Sequence, residues 1–197
     1  MHIAQFIQQY HPEYYSSESY PADQVARIHK VDMQWGDFSN FGRIPVVADG
    51  VRFGTTERLY QVMKYKDPEA RKAVYLAPNP KMTAKHYEKL GFWREEWPAM
   101  IVDAMKYCLM LKYNQSQQFR SLLESSKGIF IVEDQTSFNK KTPDTWGVKL
   151  SDDGKNYVGP NLLGRLLMEL RDNGTLEYSL PEDSTCFQDL LEISAGR

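Results

Sequence analysis

The chain has 197 residues, 42% hydrophobic and 25% charged, which suits one globular domain with a proper core, and no run approaches the roughly 20 apolar residues that a membrane span needs. The first ten residues, MHIAQFIQQY, lack a basic stretch and a long apolar run, so no secretory signal and no membrane partner are expected and cytoplasmic residence is the default. The net charge of −2 hides an asymmetry: residues 58–112 hold eleven basic and six acidic groups (+5), a surplus compatible with a phosphate-bearing ligand or a nucleic-acid edge and equally with an ordinary spread of surface charge.

Two cysteines, Cys108 and Cys186, and four scattered histidines fit no zinc spacing. No disulfide, no protein-ligated metal and no cofactor are expected.

Residues 1–34 read as an N-terminal extension packed on the domain, with a short amphipathic piece (Ile3, Phe6, Ile7, Tyr10) and a Tyr/Ser-rich run broken by Pro12 and Pro21. Ile28 to Trp35 is a possible strand, followed by the loop GDFSNFGR. Two short apolar runs flank Asp49-Gly50, a dipeptide suited to the positive φ of a tight hairpin.

The hairpin leads into FGTTERLYQVMKYKD, residues 53–67, expected to form a helix of about three turns capped by Thr55 or Thr56 and stopped by Pro68. At about 100° per residue, Glu57, Gln61 and Lys64 share one face, and Leu59, Val62 and Met63 share the other. That polar face is either a solvated stripe or, given the flanking Phe53, Tyr60 and Tyr65, the lining of a site.

Helices are expected from Pro68 to about Leu76, from Thr83 to Leu90, and from Pro98 to about Tyr113, the last with an apolar stripe of Ile101, Ala104, Met105, Cys108, Leu109 and Leu111. Lys112 continues that stripe. It either snorkels outward or is itself a cation held at the floor of a cavity. Phe119, Leu122 and Leu123 mark another helix, and Ile129–Val132 a buried strand. Asp144, Trp146 and Gly147 follow a polar loop, and Asn161 opens a helix that Gly174 ends. The acidic segment 175–197 spaces Phe187, Leu190, Leu191 and Ile193 as a docking helix would.

The order Phe38-Ser39-Asn40-Phe41, Thr56-Glu57 with Gln61 and Lys64, Trp97 with Met105 and Lys112, Glu133, Trp146-Gly147, and Gly159-Pro160-Asn161 with Leu163-Gly164, Leu167-Met168-Glu169 and Arg171 resembles the NADAR, or YbiA-like, family. The resemblance spans Trp35 to Arg171, within a domain set at 35–174. Two positions depart from the family pattern. Pro143 stands where an acid is expected three residues before Trp146, with Asp144 one place closer, and Arg58 stands where the family often has His.

The resemblance implies a compact, mostly helical α+β domain with a small β-sheet, acting on N-glycosidic bonds to ribose. It implies removal of ADP-ribose from guanine bases, with DNA as the expected carrier, or cleavage of early riboflavin-pathway intermediates. A module that binds ADP-ribose without cutting it is the reading from another class. The partners implied are an ADP-ribose-bearing nucleotide or DNA base and, for members that act as antitoxins, a cognate DNA ADP-ribosyltransferase toxin.

Breaking a ribosyl C–N bond requires stabilised positive charge at the anomeric carbon, help for the departing amine, and a nucleophile. Glu57 can stabilise an oxocarbenium-like transition state or activate water, with Asp144 as a second acid. Lys64, neutralised by burial, can instead attack an opened imine and form a Schiff base, or simply support the site by hydrogen bonding. Trp35, Asn40, Phe41, Gln61, Lys112 and Gly147 are the candidate binding residues around them. Trp97 and Trp146 serve either as core or as stacking surfaces for a base, and the helix starting at Asn161 offers N–H groups to a pyrophosphate or is merely capped there.

Overall fold

The computed structural model describes residues 3–195. In chain order its main elements are α1 (Ile3–Tyr10), β1 (Glu18–Pro21), β2 (Val25–Ile28), β3 (Val46–Ala48), β4 (Val51–Phe53), α2 (Thr56–Val62), α3 (Pro68–Leu76), α4 (Pro80–Lys89), α5 (Trp97–Gln115), α6 (Gln117–Ser125), β5 (Phe130–Glu133), β6 (Lys149–Leu150), β7 (Asn156–Gly159), α7 (Leu162–Asn173) and α8 (Leu191–Ala195). The fold is α+β and mostly helical, with small sheets. No helix among the described residues is long and apolar enough to cross a membrane.

Contacts gather into two compact units. One holds the chain up to Ser39 together with Gln117–Leu176; the other holds Asn40–Ser116 and the segment from Glu177 onward.

In the first unit, β7 lies between β1 and β6, all antiparallel, while β2 runs parallel to β5. The strand expected at Ile28–Trp35 is displaced upstream, because Val25–Ile28 finds its ladder on Phe130–Glu133 and the chain then turns through Gly36–Phe38. Tyr20, Val132, Val148 and Tyr157 close a small core under this sheet.

Helix α7 sits against β5 at Gly164, where any Cβ would lie 2.1 Å from the Ile131 carbonyl oxygen, so only glycine permits that approach. Asn161 precedes the helix with φ +53 and makes no side-chain cap. Its buried amide instead bridges to β5, accepting from the Glu133 N–H at 3.1 Å and donating to the Ile131 carbonyl at 2.9 Å. Gly174, also at positive φ, ends the helix.

In the second unit, Asp49 and Gly50 both take positive φ between β3 and β4, as a tight hairpin of that sequence requires. Thr55 caps α2 through the Arg58 N–H, Asp67 caps α3 through Ala70, and Asn79 caps α4 through Met82. Helix α4 therefore begins at Pro80, a turn before the expected Thr83. Helix α2 is shorter than its periodicity suggests. Past Val62 the Lys64 carbonyl accepts the Arg94 N–H at 2.8 Å and Tyr65 bridges to Trp93, so tertiary pairing unwinds the last turn. Along α5, Ile101, Ala104, Met105, Cys108 and Leu109 are buried, while Leu111 is half-buried.

Asn161→Ala strands a buried N–H and a buried carbonyl, each worth about 1–3 kcal/mol. The expected loss of unfolding free energy in urea is roughly 2–4 kcal/mol. Asn161→Gly, which relieves the positive φ but still deletes the bridge, is expected to be damaging as well; a glycine variant as stable as the parent contradicts the bridging role.

Candidate functional site

Glu57, Gln61 and Lys64 are all buried, at 5%, 4% and 7% exposure, which rules out a solvated stripe. The Glu57 N–H donates to the Asn40 carbonyl at 2.9 Å, tying the start of α2 to the preceding loop. Thr56 Oγ1 donates to Asn40 Oδ1 at 3.1 Å, and Asn40 Nδ2 donates to Met105 Sδ. Asn40 is thus a clasp between that loop, α2 and α5, with much of its amide already engaged.

The side chains of α2 form a short chain of polar contacts. Gln61 Nε2 donates to Glu57 Oε1 at 2.8 Å, leaving Gln61 Oε1 buried with no partner among the described residues. A buried acceptor left without a donor carries an uncompensated desolvation cost.

Lys64 lies just past the end of α2, with its ammonium 5.6 Å from the Trp97 ring centroid and 5.9 Å from that of Tyr60. Its ion-pair partner is Glu88 of α4, at 2.5 Å. Burial pushes the Lys64 ammonium below the ordinary lysine value, outweighing the opposing pull of the Glu88 and Glu57 charges, with Lys81 adding to the depression. Burial likewise pushes the Tyr60 hydroxyl and the Cys108 thiol far up, with the Glu57 charge contributing to both. A carboxylate and an amine whose ammonium form is disfavoured by burial are therefore both buried on this part of the unit.

Trp97 is 1% exposed and meets Tyr60 edge-on at 5.1 Å. Its ring is taken up by Tyr60 and Lys64, which makes it a wall of the lysine environment instead of a stacking platform. Phe41, by contrast, is exposed and carries the Lys81 ammonium 5.5 Å above its ring. Lys112 is fully buried on α5, so the snorkelling reading does not hold. Arg58, at the departing position, donates to carbonyls of Tyr75 and Ala77 and so closes the C-terminal end of α3.

The remaining expected residues lie in the first unit. Asp144 is exposed; its Oδ1 accepts from Gln135 Nε2 at 2.6 Å and from the Trp146 N–H at 3.0 Å, and its own N–H donates to Gln135 Oε1. This clasp fixes the loop that carries half-buried Trp146. Gly147 is required there, since a Cβ would lie 2.5 Å from the Glu133 carbonyl oxygen. Trp35 stacks on Phe38 at 5.5 Å.

The start of α7 bears on the reading of Asn161. The start of α7 has few free N–H groups for a pyrophosphate, because Leu162 N donates to Thr145 O at 3.1 Å and Leu163 N to Trp146 O at 3.2 Å. The side chain of Asn161 is likewise spent on β5. The sequence gives no sign of such loop carbonyls.

Glu88 escaped the sequence reading. It sits among four basic residues of a helix 24 positions beyond Lys64, and only the packing of α4 against α2 brings it in.

The NADAR domain family matches residues 5–173, upstream of the Trp35 start read from the motifs, so β1 and β2 fall within it. The chain is 29% identical over 156 residues to N-glycosidase YbiA of Shigella boydii, covering 79% of this chain and 91% of that protein. It is 26% identical over 153 residues to N-glycosidase Npun_R5314 of Nostoc punctiforme, covering 74% and 89%. The NMR structure of the E. coli protein YbiA superposes with a TM-score of 0.60 at 28% identity, covering 77% of this chain and 84% of that one.

If burial controls Lys64, its amine titrates below free lysine in side-chain NMR. Glu88→Gln removes a charge that favours the ammonium, so the midpoint is expected to fall further. A midpoint at or above the free-lysine value in the parent protein contradicts this electrostatic picture.

Proposed function

Because this chain belongs to the NADAR family, we propose that it is an N-glycosidase hydrolysing a C–N bond to ribose, and that its substrate is an ADP-ribosylated guanine base, in DNA. The observation that carries the reading is the buried Glu57–Lys64 environment: one carboxylate, and one amine whose ammonium form is disfavoured by burial.

In the direct route Glu57 stabilises positive charge at the anomeric carbon, or takes a proton from the attacking water, as the C–N bond breaks and the base amine leaves protonated. In the covalent route the ribose ring opens to an iminium. Neutral Lys64 adds to the anomeric carbon, the base amine departs, and water hydrolyses the lysine imine to release the sugar. Glu57 carries protons between the two amines. Glu88, hydrogen-bonded to Lys64, is the acceptor for the lysine's own proton. Gln61 steadies Glu57 and offers its free carbonyl oxygen to a sugar hydroxyl or base N–H.

Two features support the finer substrate. Helix α4, which supplies Glu88, also exposes Lys81, Lys85 and Lys89, and Phe41 lies beneath Lys81. Cations beside an aromatic ring suit a phosphate-linked nucleotide. A role as antitoxin to a DNA ADP-ribosyltransferase belongs to the same proposal, resting on the family resemblance.

The test is incubation with ADP-ribosylated guanine in single-stranded DNA, with and without borohydride. Release of ADP-ribose is expected, weakening as salt rises, with Glu57→Gln lower by about 10²–10⁴-fold. A reduced adduct on Lys64 assigns the covalent route, and normal turnover without an adduct assigns direct attack by water. Cleavage of riboflavin-pathway intermediates alone, or tight ADP-ribose binding without release and indifferent to Glu57→Gln, overturns the proposed substrate or the proposed activity respectively.

A further inference from the structure

Away from Lys64, the second unit buries two arginines. Arg94, just before α5, is 2% exposed, and Arg71, on α3, is 7% exposed. The segment beyond residue 173, outside the family match, lies across them. Asp183 reaches Arg94 Nη1 at 3.3 and 3.4 Å, Asp189 reaches Arg71 Nη2 at 3.0 Å, the Cys186 carbonyl also accepts from Arg71 Nη2, and the Phe187 ring covers the Arg71 guanidinium at 5.1 Å.

Those contacts leave the stronger donors unused. Arg94 Nε and Nη2, together the side-on fork of the guanidinium, have no partner among the described residues, and neither has Arg71 Nε. The fork geometry matches two oxygens of a carboxylate or phosphate, with charge-assisted bonds at about 2.7–2.9 Å. Asp183 instead meets the single nitrogen Nη1 at longer range, and its side chain is 54% exposed. Lys66 stands on the same rim, 4.0 Å from Asp183. Two buried guanidiniums repel one another, and the Arg94 charge adds to the burial that lowers Arg71. The carboxylates around them compensate poorly, since Asp183 is half in water and Glu96, whose charge also acts on Arg94, is paired with Lys66; a dianion with three or four oxygens would do so better.

We propose that Arg71 and Arg94 form a binding site for a phosphate-class oxyanion, with the Arg94 Nε/Nη2 fork as its principal donor and Asp183 as an internal stand-in that the anion displaces. The site is distinct from the Glu57–Lys64 environment. The two are linked through the backbone, where the Arg94 N–H donates to the Lys64 carbonyl and Tyr65 bridges to Trp93.

Calorimetric titration of the full chain with inorganic pyrophosphate tests this. Binding is expected to persist in Glu57→Gln and Lys81→Ala, to tighten in Asp183→Asn, and to weaken about tenfold or more in Arg94→Lys, which keeps the charge and loses the fork. Should Arg94→Lys fail to fold, Arg71→Lys is expected to weaken binding in the same direction. Titration with ADP separates the sources: tighter binding of ADP than pyrophosphate assigns a nucleotide diphosphate, and the reverse assigns the free anion. Absence of heat at millimolar pyrophosphate in both the parent and Asp183→Asn, or binding unchanged in the arginine variants, overturns the site.

Discussion

The desolvation of one ammonium group governs the second unit. Removing an ion from water costs several kcal/mol even after the protein relaxes. Against that, Lys64 has two aromatic rings within about 6 Å, each worth about 0.5–2 kcal/mol to a cation, and an ion pair to Glu88, which is itself only partly buried. The depressed lysine value says which side wins: the offsets are incomplete, so the amine yields its proton more readily than a surface lysine. That lowered proton affinity is what the proposed roles of nucleophile or proton donor would use.

Much of the surrounding fold serves to keep that group where it is. Tertiary pairing of Tyr65 with Trp93 and of the Lys64 carbonyl with Arg94 ends α2 early and swings Lys64 between Tyr60 and Trp97. The Asn40 clasp with Thr56 and Met105 holds the other end of α2, where Glu57 begins the polar chain that Gln61 completes. In the first unit the same economy of glycine and amide appears at Gly147, Gly164 and Asn161, where close backbone approach leaves no room for other residues.

Local signals were legible in the sequence wherever a single residue type sets the backbone. Asp49-Gly50 gave the hairpin, the Thr55-Thr56 pair the start of α2, Pro68 the start of α3, and Gly174 the end of α7. The shared face of Glu57 and Gln61 was legible from period alone. Long-range pairing was not: nothing local places Glu88 on Lys64, stops α2 at Val62, or fills the start of α7 with the Thr145 and Trp146 carbonyls. The fate of the tryptophans was equally hidden, because a tryptophan reads the same in sequence whether it ends buried, as Trp97 does, or half-buried, as Trp146 does. Asp144 carried the chemistry of an acid but settled into a loop clasp with Gln135.

The most direct measurement is a crystal structure with ADP-ribose bound. The anomeric carbon is expected about 3–3.5 Å from the Glu57 carboxylate or the Lys64 amine, with a sugar or base donor on Gln61 Oε1. An anomeric carbon held elsewhere, with Glu57 still bound to Gln61, Lys64 still bound to Glu88 and neither touched by the sugar, contradicts this reading.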